Sequence, residues 1–114
     1  MGAGVLVLKR KKVGNGEYRN KLPKTPKQME RHLKGIANHN RIAIILMLAN
    51  NSNLSVENIA EALGGNYPNI SIHLFRLVNA GLINKKHKGR NVVHELTPYG
   101  KIFVSFLTTF KHSS

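Results

Sequence analysis

From about residue 27 onward, apolar residues recur at helical spacing. Met29, Leu33, Ile36 and Ala37 stand at offsets 0, 4, 7 and 8, one face of a helix. Asn38 breaks that pattern and suits the N-cap of a second helix, His39 to Ala49. This segment is apolar nearly all round, from Ile42 through Leu48, which predicts a helix in the middle of a small domain. Asn50 to Asn53 reads as a loop. Ser55 caps a short helix with Val56, Ile59, Ala60 and Leu63 on one face, and Gly64-Gly65 ends it. Asn66 caps a fourth helix, with Pro68 in its first turn, where a missing N–H costs nothing. Ile70, Leu74, Leu77 and Val78 are its buried stripe, and Gly81 stops it.

Leu82–Lys88 and Asn91–Leu96 read as two strands of a hairpin around Gly89-Arg90. Thr97-Pro98 then supplies an N-cap and a first-turn proline. The last helix carries Tyr99, Ile102, Phe103, Phe106, Leu107 and Phe110 at offsets 0, 3, 4, 7, 8 and 11. The order is helix, helix, short helix, turn, helix, hairpin, helix. It predicts an α+β fold, mostly α: a winged helix-turn-helix over residues 27–111. Residues 1–26 differ. Gly14, Gly16, Pro23 and Pro26 punctuate a basic stretch with little periodicity, read as a flexible N-terminal arm. Val5 to Leu8 is its one candidate edge strand.

Charge narrows the function. The 114 residues carry 18 Lys and Arg against five acids, a net charge of +13, which favours a polyanionic partner. All five acids are Glu. EF-hand loops, aspartyl dyads and Asp-based magnesium sites are therefore excluded. The lack of Cys excludes disulfides, thiolate zinc sites and Cys nucleophiles. No apolar run approaches a membrane span and no secretory signal pattern opens the chain, so a cytoplasmic protein is expected. No cofactor or metal is expected. His32 and His39 span a helix break, and His87 and His94 approach across the hairpin without an acid. Glu57 and Glu61 lie i, i+4 as a solvated pair, and no catalytic spacing appears, so no enzymatic activity is expected.

The helix starting at Asn66 turns Asn69, Ile72, Arg76 and Asn79 away from its apolar stripe, a polar face with one cation that suits a major-groove reader. Its first-turn N–H groups can meet a phosphate. The hairpin concentrates Lys85, Lys86, Lys88 and Arg90, which suits flanking backbone or minor groove. These cations also read as charges that guard a strand edge, and Asn69, Arg76 and Asn79 also read as a solvated face. The Phe103, Phe106 and Phe110 stripe reads as core or dimer surface. The core supplied by Ile42–Leu48, Ile59, Leu63, Ile70, Leu74 and Leu77 leaves little room for it, so it is expected to pair two copies, together with the Met29–Ile36 helix.

Residues 28–110 also resemble the ArsR-type winged-helix transcriptional regulators. Leu33 through Ile42 is similar to the family's L-K-x-L-A-D-P-T-R-L. Ile59-Ala60-Glu61-Ala62-Leu63-Gly64 and Pro68-Asn69-Ile70-Ser71-Ile72-His73-Leu74 resemble its L-A-x-x-L-G and P-x-V-S-x-H-L. Ala80-Gly81-Leu82-Ile83 resembles its A-G-L-V step into the wing, while Thr97-Pro98-Tyr99-Gly100 is shared with MarR-type groups. The resemblance implies a homodimeric, sequence-specific binder of double-stranded DNA, usually a repressor released by an effector. It places Asn66, Tyr67, Asn69, Ser71 and Ile72 at recognition-helix contact positions, with His73 at the family's usual His and Arg90 at its wing-tip cation. Tyr67 and Ile72 stand where the family often has Gln and Arg, so base contacts more apolar than usual are implied, for instance to thymine methyls. His73 reads equally as a packing histidine. Two other functions fit the fold: a nonspecific architectural nucleic-acid-binding protein, and a winged-helix protein–protein interaction module, to which the +13 charge is unfavourable.

Overall fold

Each helix begins at a side chain that satisfies its otherwise unpaired N–H groups. Thr25 and Gln28 form a reciprocal capping box at the start of α1 (Pro26–Ile36). Asn38 accepts from the N–H groups of Asn40 and Arg41 to open α2 (His39–Asn50). Ser55 and Asn58 form a second capping box on α3 (Val56–Leu63), which ends on Gly64 in the left-handed region at φ 66°. Asn66 caps α4 (Tyr67–Asn79), and Thr97 caps α5 (Pro98–Lys111). Strands β3 (Ile83–Lys88) and β4 (Asn91–Leu96) pair antiparallel, with Ile83 opposite Leu96 and Lys88 opposite Asn91. The computed structural model describes residues 22–114, together with the backbone of residues 10–12 and 18–20. Those two short segments are β1 (Arg10–Lys12) and β2 (Tyr18–Asn20), an antiparallel pair. The arm therefore contains a strand pair that its Gly and Pro content does not predict. Val5 to Leu8 lies outside the described residues.

The structure is mostly helical with two two-stranded sheets, and the β3–β4 hairpin is the wing of a winged helix-turn-helix. Ile44, Ile45 and Leu48 of α2 meet Ile59 of α3, Ile70, Leu74 and Leu77 of α4, and Leu82 and Ile83 of the wing. The central position of α2 follows from this. Its apolar circumference is only partly buried, however: Ile42, Ala43, Leu46 and Met47 keep some exposure. Leu63 is likewise only partly buried, whereas Ala80, Leu82, Ile83 and Val93 are buried although the sequence pattern does not place them in the core. Gly100 marks the closest approach of α5 to the wing, since a Cβ there would collide with the carbonyl oxygen of Leu82. Among the described residues, no helix is long and apolar enough to cross a membrane.

Two histidines carry polar groups into this core. His32 of α1 is buried, with Nδ1 2.6 Å from the carbonyl of Ala80 and its ring 5.0 Å from that of Tyr99. The α1 stripe is therefore turned from its expected orientation. His32 and Ile36 face inward, while Met29, Leu33 and Ala37 face solvent. His94 of β4 is completely buried. Its Nδ1–H donates to Leu54 at 2.9 Å, and its backbone pairs with the same residue. The ring thus turns toward the loop after α2, and strand register sets His94 opposite Lys85 and His87 opposite Val92. The two do not form a facing pair.

Burial pushes the His94 imidazole below its ordinary pKa, outweighing the hydrogen bond to Leu54. The unfolded chain gains a proton at this residue near pH 6.5, and the folded one only at lower pH. This contribution to stability is therefore complete above about pH 6.5 and is lost as pH falls below it. Thermal unfolding should show a melting temperature level from pH 8 to 7 and declining from pH 6.5 to 5, with a shallower decline in His94→Gln. Identical slopes for the two proteins would remove His94 from the linkage.

Candidate nucleic-acid interface

The helix-turn-helix is α3 and α4, joined through Gly64, Gly65 and Asn66. Asn66 spends its side-chain oxygen on the cap, accepting from Asn69 N–H at 2.9 Å, so its first task is to hold the start of α4. Pro68 in the first turn leaves no N–H to satisfy. The capped turn presents Tyr67 and Asn69 to solvent, and the next turns present Ile72, Phe75 and Arg76, while Ile70, Leu74 and Leu77 point into the core. Ser71 is half-buried. Asn69, Ile72, Arg76 and Asn79 thus lie on one exposed face, as their spacing predicts. Neither α4 nor β3 contains an acid.

His73 has a different environment from these residues. Its ring is part-buried between α4 and the first turn of α2. Arg41 Nη1 donates to His73 Nδ1 at 3.2 Å, and Asn40 Nδ2 lies 3.4 Å from Nε2. Burial, followed by the charges of Arg41, His39 and Arg76, holds His73 below its ordinary pKa. A neutral ring can accept from Arg41, and Arg41 in turn donates from Nε to the Gly35 carbonyl at 2.7 Å. The chain of contacts fixes α4 against α1 and α2. His73 is thereby placed behind the exposed face and positions the helix.

The wing exposes Lys85, Lys86, His87, Lys88 and Arg90 around the Gly89 turn. Lys86 differs from its neighbours: its ammonium pairs with Glu95 of β4 at 3.1 Å. Exposed pairs of this kind are worth about 0–1 kcal/mol, yet they still compete with a phosphate for the cation. Lys85, Lys88 and Arg90 have no carboxylate partner among the described residues. Sequence pattern does not show the Lys86–Glu95 pair, because it depends on hairpin register.

A second exposed surface is apolar. Ile102, Phe106 and Phe110 of α5 are 63%, 59% and 64% exposed, and Phe106 and Phe110 stack at 5.6 Å with 9° between their planes. Phe103, Val104 and Leu107 pack against the core instead. Met29 and Leu33 are exposed on α1, whose His32 touches Tyr99 at the start of α5. Lys24 lies over the Tyr99 ring, 4.2 Å from its centroid.

Residues 38–85 match the model of the bacterial regulatory protein, arsR family, a span from the cap of α2 to the first half of β3. HlyU from Vibrio cholerae is 28% identical with a TM-score of 0.69, over 78% of this chain and 97% of that one. HlyU from Vibrio vulnificus, described as a transcriptional regulator, is 27% identical with a TM-score of 0.64, over 74% of this chain and 88% of that one. A domain from Mycobacterium bovis, described as a homodimeric winged helix-turn-helix DNA-binding domain of a possible ArsR-family regulator, is 26% identical. Its TM-score is 0.68, over 75% of this chain and 79% of that one. No curated protein matches the chain.

Proposed function

We propose that this chain, whose residues 38–85 match the arsR-family model, is a homodimeric, sequence-specific repressor that reads double-stranded DNA in the cytoplasm. The observation that carries the proposal is the exposed face of α4. Asn69, Ile72 and Arg76 stand together on a capped, rigidly backed helix that carries no acid, and the wing adds the cations Lys88 and Arg90, neither with a carboxylate partner among the described residues. Asn69 offers the donor and acceptor pair that matches adenine, and Ile72 an apolar contact for a thymine methyl. Arg76 supplies a fork for guanine or phosphate, and Tyr67 flanks the first turn. Lys88 and Arg90, with Lys86 once released from Glu95, contact the backbone and set register without reading sequence. An acidic protein partner would meet the same cations, but a nonspecific binder would have no use for an Asn–Ile face.

The test is selection of bound sequences from a random duplex pool, for the unmodified protein and for Asn69→Ala. The variant should lose preference at one or two base positions by about 1–3 kcal/mol, with little change in affinity for random DNA. A pool that returns no preferred sequence would replace this reading with architectural binding. Uniform weakening by the variant would make Asn69 a backbone contact.

A further inference from the structure

Four cationic side chains and one exposed aromatic ring gather where the end of α1, the start of α2 and the second half of α4 meet. The cleft has a volume of about 270 Å³ and is lined by Arg31, Lys34 and Gly35, by Arg41, and by Phe75, Arg76, Asn79 and Ala80. None of these residues is an acid. The nearest carboxylate on these elements, Glu30, is taken by Lys34 at 3.0 Å. Arg31, Arg41 and Arg76 have no carboxylate partner among the described residues.

Two of the guanidinium groups are already oriented. Arg31 donates to the Asn79 carbonyl, and Arg41 donates from Nε to Gly35 and from Nη1 to His73. Each is anchored by part of its five-donor fork, with further N–H groups left over. Anchoring in advance removes much of the side-chain entropy that binding would otherwise cost. Burial first, and then the nearby charge of Arg76, disfavour the charge of Arg41. Two cations lining one cleft without an acid are electrostatically incomplete, and an anion between them would offset their repulsion through charge-assisted hydrogen bonds. The close packing that forms the cleft is specific, because a Cβ on Gly35 would collide with Ala80 and force α1 away from α4.

We propose that this cleft is a binding site for a phosphate-class anion, held by Arg41 and Arg76 with Arg31 and Lys34 at its rim and Phe75 closing one side. Arg76 and Asn79 also belong to the exposed face of α4, so the site continues that face at its C-terminal end. Arg31, Lys34 and Gly35 lie on the side of α1 opposite Met29 and Leu33, so pairing of two copies through the apolar surface leaves the cleft open. One source of such a phosphate is the backbone of a bound duplex beyond the bases read by α4, which rests on the function proposed above. The other is a free phosphorylated small molecule.

The experiment is a nuclear magnetic resonance titration of the unmodified protein, following the Nε–H signals of Arg41 and Arg76 and the amides of Phe75 and Asn79. One arm adds inorganic phosphate at constant ionic strength, with chloride as reference, and the other adds a random-sequence duplex. Saturable shifts that include the Arg41 signal, with phosphate, with the duplex, or with both, support the site. Signals that respond to neither, or to phosphate only as they do to chloride, overturn it. The source is decided by Arg31→Gln/Lys34→Gln. A fall of about 0.9 in the log–log salt slope of duplex binding, for each phosphate that the variant no longer neutralises, assigns the anion to DNA. An unchanged slope with weakened phosphate binding assigns it to a free anion. Saturable phosphate binding by a protein that binds no duplex would sink the DNA reading and leave the cleft, whereas duplex binding that moves the Arg76 signal while the Arg41 signal responds to neither titrant would sink the cleft and leave the DNA reading.

Discussion

Phe106→Glu is expected to yield a folded monomer that has lost most of its affinity for a two-half-site operator. Phe106 is more than half exposed and stacks on Phe110 outside the core, so the protomer keeps Ile44, Ile45, Ile59, Leu74 and Leu77 intact without it. Circular dichroism and melting should therefore change little. Association should change much, because a carboxylate would replace an aromatic ring on the surface proposed to pair two copies and would be buried there without a partner. Two α4 helices held at a fixed spacing bind one duplex as a linked pair, and that linkage is worth roughly 10²–10⁴-fold in affinity. Operator binding should fall by that order, and binding to random DNA much less. Sedimentation equilibrium at micromolar concentration checks the first step. A monomeric unmodified protein would leave the exposed aromatics to some other partner.

Removal of the wing cations should have the next largest effect. Lys86→Ala/Lys88→Ala/Arg90→Ala is expected to weaken binding to all duplexes alike and to flatten its salt dependence, by about 0.9 in log–log slope for each phosphate left without its cation. The three side chains should not share the effect equally. Lys86 is held by Glu95, so its single substitution should cost less than that of Lys88 or Arg90. Glu95→Gln should release Lys86 and strengthen binding at low salt. Affinities measured between 50 and 200 mM salt decide the matter, and an unchanged slope in the triple variant would remove the wing from the interface.

From α2 onward, local chemistry was legible in the sequence, whereas the Thr25–Gln28 capping box and the β1–β2 pair were not read from it. Asn38, Ser55, Asn66 and Thr97 all cap the helices that their positions predict, and Gly64 terminates α3. The hairpin turns at Gly89-Arg90. These features depend on residues within about four positions of one another, and backbone hydrogen bonding at that range follows from residue type. The buried stripe of α4 and the exposed Asn69–Ile72–Arg76 face were legible for a related reason, since one period of 3.6 assigns both faces together.

What depends on distant partners was not legible. Periodicity located a stripe on α1 but did not say which flank would turn inward. His32 is buried because the Ala80 carbonyl, 48 residues away, accepts from its ring, and Tyr99 covers it. That rotation is what leaves Met29 and Leu33 exposed. In the same way His73, a residue of the recognition helix by sequence, is drawn behind it by Arg41, and Lys86 is diverted by Glu95 through strand register. The four cations of the α1–α4 cleft lie in three separate segments of the chain, so no local pattern marks them as a group. The sequence alone therefore determined the five helices, the β3–β4 hairpin, their order and the exposed face of α4. Tertiary packing alone decided which charges and aromatics remain unpartnered, because desolvation and charge pairing act through space, between residues that the chain holds far apart.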